Sequence, residues 1–248
     1  MLIEQAAYAN RWRRVAPAAK ACLALAALIS AGLAPTPATA AGLAAGLMLL
    51  TCFGAGVPFG LFVRVAAPAT GFLALSSLSL LVSLSGDGAG GLAWQAAPEA
   101  VPRIAAVAAR SLASLAALLM LVLTTPLPDL IGLLRRLHLP EIMLDLMVLC
   151  YRMLFVFSEA LHDTLTAQQG RLGYSTARRS LRSLGLLAAN LAVQVWQRAQ
   201  GLHLAAMARN GDGPLRFLSP DFTHATRDTV VAALTGGALI VVTARLGA

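Results

Sequence analysis

The stretch ACLALAALISAGLAPTPATAAGLAAGLMLLTCFGAGVPFGLFV, residues 21–63, contains no Asp, Glu, Lys, Arg or His. It is too long for one membrane-spanning helix, which needs about 20 apolar residues. Pro35-Thr36-Pro37 also interrupts it near its middle. The stretch therefore predicts two spanning helices, one from about Pro17 to Leu33 and one from Thr39 to Cys52 or beyond. Each is near the lower limit of about 17 residues for a span.

Three further apolar segments follow along the chain. Val65 to Gly86 is uncharged and predicts a third span, after which a glycine-rich run starts a polar loop reaching about Pro102. A fourth span is predicted from about Ile104 to Thr124, and Arg110 within it is expected to face other helices or to reach toward the membrane surface. Thr229 to Ala244 predicts a fifth. The predicted fold class is an all-α polytopic membrane protein with about five transmembrane helices.

The composition agrees with this fold class. Hydrophobic residues make up 58% of the 248 residues and charged residues 12%, against about 45–50% and about 25% in soluble domains. This balance excludes a disordered, fibrous or ordinary soluble enzyme chain. The net charge is +8, but aromatic residues make up only 6% and the cations lie beside apolar runs. No nucleic-acid partner is therefore expected. The three cysteines lie in apolar surroundings without metal-ligand spacing, so neither a disulfide framework nor a zinc site is predicted.

The distribution of cations predicts the orientation, because Lys and Arg accumulate in short cytoplasmic loops. Cations precede the first span, Arg64 follows the second, and ten Arg lie between Arg135 and Arg216. The loops at Pro35–Pro37 and from Gly86 to Pro102 contain no cation. The cations before the first span are Arg11, Arg13, Arg14 and Lys20. The predicted regions are, in order, a cytoplasmic segment (1–16), four spans (17–124), cytoplasmic helices (125–220) and a last span (226–246).

A signal peptide is the alternative explanation for the first apolar stretch. Ala38-Thr39-Ala40 has the small-residue pattern of a cleavage site and follows basic and apolar residues. A leader ending there would include the first 40 residues, and further spans follow it immediately. We therefore expect the first helix to remain uncleaved.

The segment from Pro126 to about Pro220 has a different pattern. Charges are spaced among apolar residues, which is typical of amphipathic helices rather than spans. The predicted helices are Asp129–His138, Pro140–Gln169 and Thr176–Ala208. The second would be about 45 Å long at 1.5 Å per residue, more than the bilayer core requires. The third includes an uncharged stretch, Ser183–Gln197, which is a weak span candidate. We expect the second helix to lie along or below the membrane and the third to be an amphipathic helix packed against the second.

The two long helices end in similar sequences. One ends in Ala167-Gln168-Gln169-Gly170-Arg171-Leu172-Gly173, and the other ends in Ala206-Met207-Ala208-Arg209-Asn210-Gly211. In both, a small residue precedes Arg and a Gly follows two positions later, so each Arg is predicted near a helix C-terminus closed by a glycine cap. An arginine there can bond to the final carbonyls, which explains one such ending. It does not explain why the ending is repeated.

This arrangement resembles the transmembrane T component of energy-coupling factor (ECF) transporters, particularly the cobalt type. Further similarity lies in Thr124-Thr125-Pro126-Leu127-Pro128-Asp129-Leu130, in Leu149-Cys150-Tyr151-Arg152-Met153-Leu154-Phe155-Val156 and in Asp212-Gly213-Pro214-Leu215-Arg216. The family has two Ala-Arg-Gly-like motifs at the ends of its cytoplasmic coupling helices. Ala208-Arg209-Asn210 matches the second motif, whereas Gly170-Arg171-Leu172 departs from the first at both flanks.

The resemblance implies a non-catalytic coupling subunit in the cytoplasmic (inner) membrane of a bacterium. Its implied partners are a dimer of ATPase subunits that hydrolyse ATP, a substrate-binding membrane S component and a small accessory membrane subunit. No cofactor is expected on this chain itself. The implied ATPase-docking residues are Gly170, Arg171, Gly173, Ala208, Arg209 and Asn210.

The residues leave other functions open. Cobalt is implied by the resemblance alone, so nickel and a vitamin are alternative substrates. A membrane enzyme or a scaffold without an ATPase is the alternative of a different class. Against an enzyme, the four histidines are scattered without HExxH spacing, and the sequence has no GxxxxGK[ST] motif for binding ATP. No catalytic residue and no metal ligand is predicted.

Overall fold

A computed structural model describes residues 2–87, 91–96, 101–209, 222 and 224–246. Its α-helices are α1 (Leu2–Ala9), α2 (Pro17–Leu33), α3 (Pro37–Leu49), α4 (Phe59–Leu81), α5 (Val101–Thr124), α6 (Leu127–Arg136), α7 (Glu141–Gly170), α8 (Ala177–Ala208) and α9 (Ala225–Arg245). Its shorter elements are a 3-10 turn (Arg11–Arg14), a π-helical turn (Leu50–Gly54) and two strands, β1 (Val82–Asp87) and β2 (Gly91–Ala96). The chain folds as two compact units, one formed by residues 1–130 and 220–248 and the other by residues 131–219.

The all-α polytopic fold class is confirmed. Among the described residues, four helices are long and apolar enough to cross a membrane: α3 with its π-helical turn, α4, α5 and α9. The predicted first span keeps its predicted bounds as α2, which is apolar but has only 17 residues. Such a helix is about 26 Å long, slightly less than the hydrocarbon core of about 30 Å.

The third span begins earlier than predicted. α4 starts at Phe59, so Arg64 lies inside a helix and not in the preceding loop. The cause is Pro58, whose carbonyl accepts the backbone N–H groups of Leu61 and Phe62 and so starts the helix. The charge of Arg64 therefore does not mark the end of a span, because a long side chain can lie within a span and reach toward its end.

A β-hairpin occupies part of the predicted polar loop. β1 and β2 pair antiparallel, from Val82 opposite Ala96 to Asp87 opposite Gly91. The sequence Val82-Ser83-Leu84-Ser85 alternates apolar and polar residues, which is the two-residue period of a strand. The predicted polar loop therefore contains two paired strands, and the predicted end of the third span at Gly86 was five residues late.

The core of the first unit is built mainly from alanine. Ala24, Ala27 and Ala31 of α2 are buried in one cluster with Ala113 and Ala117 of α5. In a membrane, helices gain little from the hydrophobic effect and associate through close packing, which small side chains permit. The high alanine content of these helices thus brings their backbones together.

Two cations join α2 and α5 at opposite ends of the pair. Lys20, near the start of α2, donates from Nζ to the Thr124 carbonyl at the end of α5, at 2.9 Å. Arg110 of α5 donates from Nε and Nη2 to the Ala34 carbonyl that ends α2, at 3.1 and 2.8 Å. The last carbonyls of a helix have no partner within it, and each helix here supplies a cation for the other. The expectation that Arg110 faces another helix is confirmed.

The contacts of α2 establish the direction of its neighbours. α5 is antiparallel to α2, because the end of α5 lies beside the start of α2. α9 is parallel to α2, because the Ala16 amide lies 3.4 Å from Asp228 Oδ2, and Ala26, ten residues after Ala16, lies beside Gly236, eight residues after Asp228. The end of α5 and the start of α9 are therefore at the same end of the helix bundle.

Gly236→Ala should destabilise the first unit. A Cβ at Gly236 would lie 2.7 Å from the Ala26 Cβ, so α2 and α9 would have to separate, at a cost of about 1–3 kcal/mol. The adjacent Gly237→Ala is the control, because its Cβ would meet nothing within 4 Å. Alanine is there the better helix former by about 1 kcal/mol. Thermal unfolding in detergent should move the two midpoints in opposite directions, and equal midpoints would contradict the packing.

Because α5 ends and α9 begins at the same end of the bundle, residues 125–224 are expected to lie on one side of the membrane. Cys150 of α7 is exposed, as is Thr36 in the turn between α2 and α3. In a Cys22→Ala, Cys52→Ala background, a membrane-impermeant maleimide should label Thr36→Cys in intact cells and Cys150 only after permeabilisation. Labelling of Cys150 from outside would show that α7 lies on the opposite side from the one expected.

Candidate functional site

Arg171 and Arg209 occupy the same position at the ends of the two long helices. Each is the C-cap residue, with φ −97° and ψ 16° at Arg171 and φ −101° and ψ 11° at Arg209. Each backbone N–H bonds to a carbonyl three residues earlier, Gln168 for Arg171 and Ala206 for Arg209. The repeated sequence thus forms a repeated local structure.

The end of α7 is a Schellman motif in which glycine does not hold the left-handed position. The Gly173 N–H bonds to the Gln168 carbonyl at 2.9 Å and the Leu172 N–H bonds to the Gln169 carbonyl at 3.0 Å, which is the pattern of that motif. The residue with positive φ is Leu172, at +54°. The predicted glycine cap is therefore wrong at the end of α7, where Leu172 holds the left-handed position.

Gly173 has a different role, which is to let the helix end approach α8. A Cβ there would lie 2.8 Å from Ser183 Oγ and 2.9 Å from the Gln168 carbonyl oxygen. Ser183 donates from Oγ to the Gly173 carbonyl at 2.9 Å. Gln168 donates from Nε2 to the Ser183 carbonyl and accepts from the Tyr174 hydroxyl, at 3.1 and 2.6 Å. These bonds fix the turn in which Arg171 lies.

The residue before each arginine is also in the position that the repeated motif predicts. Gly170 and Ala208 are the last helical residues of α7 and α8. Asn210 and the Gly211 that follows it lie outside the described residues. The structure thus describes five of the six predicted docking residues, and it does not test their docking role.

Each arginine has an exposed apolar neighbour. Leu172 is 69% exposed beside Arg171, and Met207 is 62% exposed near Arg209. Both arginines are exposed as well, and among the described residues neither guanidinium has a hydrogen-bond or ion-pair partner. Arg and Met are enriched in protein interfaces. We call these two helix ends, Gly170–Gly173 and Met207–Arg209, the docking tips.

α7 and α8 also expose apolar side chains along their length. Beyond Leu187 no residue described in α8 is buried. The exposed large apolar residues include Ile142, Leu146 and Leu154 on α7 and Leu186, Val193, Trp196 and Leu204 on α8. Apolar surface of this extent on one pair of helices indicates an interaction site.

Residues near the N-terminus hold the junction between α5 and α6, and the sequence analysis missed this. Buried Asn10 donates from Nδ2 to the carbonyls of Leu123 and Thr124, at 3.4 and 3.1 Å. Arg13 forms an ion pair with buried Asp129 in the first turn of α6. Arg13 and Lys20 were counted only as loop cations, and no local pattern links them to residues more than 100 positions away.

Tyr8 supports the same junction. The Arg13 guanidinium carbon lies 5.1 Å from the centre of its ring, within range of a cation–π contact. Burial raises the pKa of the Tyr8 phenol, and the charge of Glu4 raises this pKa further. The phenol therefore stays neutral beside the ion pair.

Metal ligands do not gather in the described part of the chain. Within residues 2–87, 91–96, 101–209, 222 and 224–246, His, Cys, Asp and Glu form no group of three or more that could hold a metal ion. These residues therefore offer no cluster to which a metal site could be assigned.

The fold and the helix ends define a polytopic membrane protein with a pair of long, partly apolar helices that both end at an arginine C-cap. The CbiQ family model, described as cobalt transport protein, matches residues 9–218. A CbiQ cobalt transport protein of Rhodobacter capsulatus is 35% identical over 217 residues, which are 88% of this chain and 87% of the relative. One of Salmonella typhimurium is 31% identical over 209 residues, 80% of this chain and 91% of the relative. The chain belongs to the CbiQ family of cobalt transport proteins.

A shorter match involves a longer protein. A protein of Methanocorpusculum labreanum named as a fused cobalt transport protein, CbiMQ, is 34% identical over 96 residues. The match covers 38% of this chain and 16% of that protein. The matched residues therefore correspond to a small part of the fused polypeptide.

Gly173→Ala should loosen the turn that carries Arg171. The added Cβ would come within 3 Å of both Ser183 Oγ and the Gln168 carbonyl oxygen, at an overpacking cost of about 1–3 kcal/mol. Gly170→Ala is the matched control, since its Cβ would meet nothing within 4 Å. Hydrogen–deuterium exchange should become faster at residues 168–184 in Gly173→Ala alone. Equal exchange in both variants would contradict the close approach.

Proposed function

We propose that this chain is the transmembrane coupling subunit of an ECF-type importer for cobalt in the bacterial cytoplasmic membrane. It would bind two ATPase subunits through its docking tips and a substrate-binding membrane S component through the apolar surface of α7 and α8. The ATPase subunits would hydrolyse ATP, and this chain would pass their movement to the S component. A small accessory membrane subunit is a further proposed partner.

The observation that carries the proposal is the equivalence of Arg171 and Arg209. Both extend from C-caps of nearly identical backbone conformation, and both are exposed beside an apolar side chain. Two equivalent tips suit two equivalent binding sites, which a dimer of ATPase subunits supplies. A guanidinium can donate several hydrogen bonds in one plane to acidic side chains or to carbonyls.

The apolar residues of α7 and α8 support a membrane partner. Their exposed side chains are too numerous for a surface left in water. The fused relative is named as joining a second component to a CbiQ protein in one chain. That arrangement favours a partner that acts beside CbiQ in the membrane.

The α5–α6 junction supports transmission of movement. Asp129 lies in the first turn of α6 and is paired with Arg13, while Asn10 and Lys20 hold the end of α5. The start of α6 is thus tied to the spans by side chains as well as by the backbone. A displacement of α7 and α8 would then act on the fixed start of α6 and would not be absorbed by a flexible linker.

Arg171→Ala and Arg209→Ala should each weaken ATPase binding. Removing one partner of a desolvated interfacial charge pair costs about 2–5 kcal/mol, which is roughly a 30-fold loss of affinity or more. The double variant should be the most severe, and Arg171→Ala is expected to be similar to or milder than Arg209→Ala. Co-purification with the ATPase subunits and uptake of radiolabelled cobalt and nickel in cells with the complete set of subunits would measure both effects.

Arg178→Ala provides the matched control for this experiment. Arg178 is exposed near the start of α8 and is not part of either tip. Its loss should change ATPase binding little, as expected for surface charges worth about 0–1 kcal/mol. If the double variant assembles and transports like the parent, the docking role is wrong. Nickel uptake without cobalt uptake would instead correct the proposed substrate.

A further inference from the structure

A groove of about 390 Å³ lies between α2 and α9 in the first unit. Ligand pockets usually have volumes of about 300–1,000 Å³. Lys20 and Leu23 line the groove from α2, and Arg227, Asp228 and Val231 line it from α9. None of the residues that line the groove belongs to the docking tips. The proposed function therefore gives the groove no role.

One end of the groove is cationic. The side chains of Arg227 and His224 are exposed there and have no hydrogen-bond or ion-pair partner among the described residues. Lys20 is only 3% exposed, and of its three N–H donors one is used on the Thr124 carbonyl. Asp228 is the one carboxylate that lines the described groove, and its Oδ2 accepts from the Ala16 amide at 3.4 Å. An anion would compensate the remaining positive charge.

The rest of the groove is apolar and follows the spans. α2 and α9 run parallel, so Leu23 and Val231 lie further along the helices than their first residues, Pro17 and Ala225. Val231 is 53% exposed although it faces this cavity. A small hydrophilic anion would leave this wall uncovered.

The groove also contains an aromatic residue, Trp12. It lines the groove and lies before the start of α2, at the boundary of a predicted span. Tryptophan is enriched at the interface between the membrane and water, where its ring lies at the level of the lipid headgroups. The order along the groove is therefore an interfacial aromatic residue, then cations, then an apolar wall that enters the membrane.

We propose that the α2–α9 groove binds a phospholipid with an anionic headgroup. The headgroup phosphate lies among Lys20, His224 and Arg227, and one acyl chain covers Leu23 and Val231. A zwitterionic lipid would bring its own cation toward Arg227 and so fits less well. A divalent metal cation is disfavoured by the same positive charges.

Binding of two lipids with identical acyl chains tests the proposal directly. Native mass spectrometry of the purified full-length chain in detergent would compare phosphatidylglycerol, phosphatidylcholine and glycerol 1-phosphate at equal concentrations. Phosphatidylglycerol should bind most tightly. Arg227→Gln should weaken its binding about five-fold, since one Lys or Arg near a membrane surface contributes about that factor toward an anionic lipid. The binding of phosphatidylcholine should not change.

Matched variants on the same helix separate the groove from general surface charge. Arg245→Gln removes an exposed arginine from the last turn of α9 and should leave binding unchanged. Val231→Trp should fill the groove and displace phosphatidylglycerol, whereas Val242→Trp, at an exposed position that does not line the groove, should not. Thermal midpoints equal to that of the parent would show that the variants are folded.

Three results would overturn the proposal. Equal affinity for the two lipids would remove the headgroup selectivity. Equal binding by Arg227→Gln and Arg245→Gln would place the lipid elsewhere. Glycerol 1-phosphate binding as tightly as phosphatidylglycerol would make the groove a simple anion site. None of these outcomes bears on ATPase docking, which the tips alone would decide.

Discussion

The helix bundle depends on hydrogen bonds in which α2 and α5 each supply a cationic side chain to the carbonyl that ends the other helix. A helix that ends inside a membrane protein leaves carbonyl groups that lipid cannot satisfy. Lys20 supplies the donor for the end of α5, and Arg110 supplies the donor for the end of α2. Because the two bonds lie at opposite ends of one helix pair, they fix both its direction and its register. α9 then packs parallel to α2 and closes the unit.

Much of the fold could be predicted because proline and glycine mark its boundaries. Pro17 and Pro35 bracket α2, which kept its predicted bounds, and the repeated Arg-x-Gly endings placed the ends of α7 and α8 to within one residue. Alternation in Val82–Ser85 was overlooked beside the glycine run, so the hairpin was missed. Arg64 was misplaced because a charge was taken as the end of a span.

Contacts between distant residues could not be predicted from one sequence. Asn10, Arg13 and Lys20 act on residues 104 to 116 positions away, and nothing in their local pattern distinguishes them from solvated loop residues. Gly236 and Gly237 are adjacent and chemically identical, yet only Gly236 meets another helix. For the docking tips, the positions of both arginines at helix ends could be predicted from the repeated motif, whereas the packing of Gly173 on Ser183 required the structure.

The bond between Lys20 and Thr124 also imposes an order on biosynthesis. The two residues are 104 positions apart, so at about 5–20 residues per second the ribosome needs about 5–20 s to supply the partner of Lys20. During that time α2 is a short hydrophobic helix with an uncompensated ammonium group at its start. Its final position in the bilayer must therefore wait for α5. The earliest of the apolar helices to be synthesised thus reaches its final contacts only after α5 has been made.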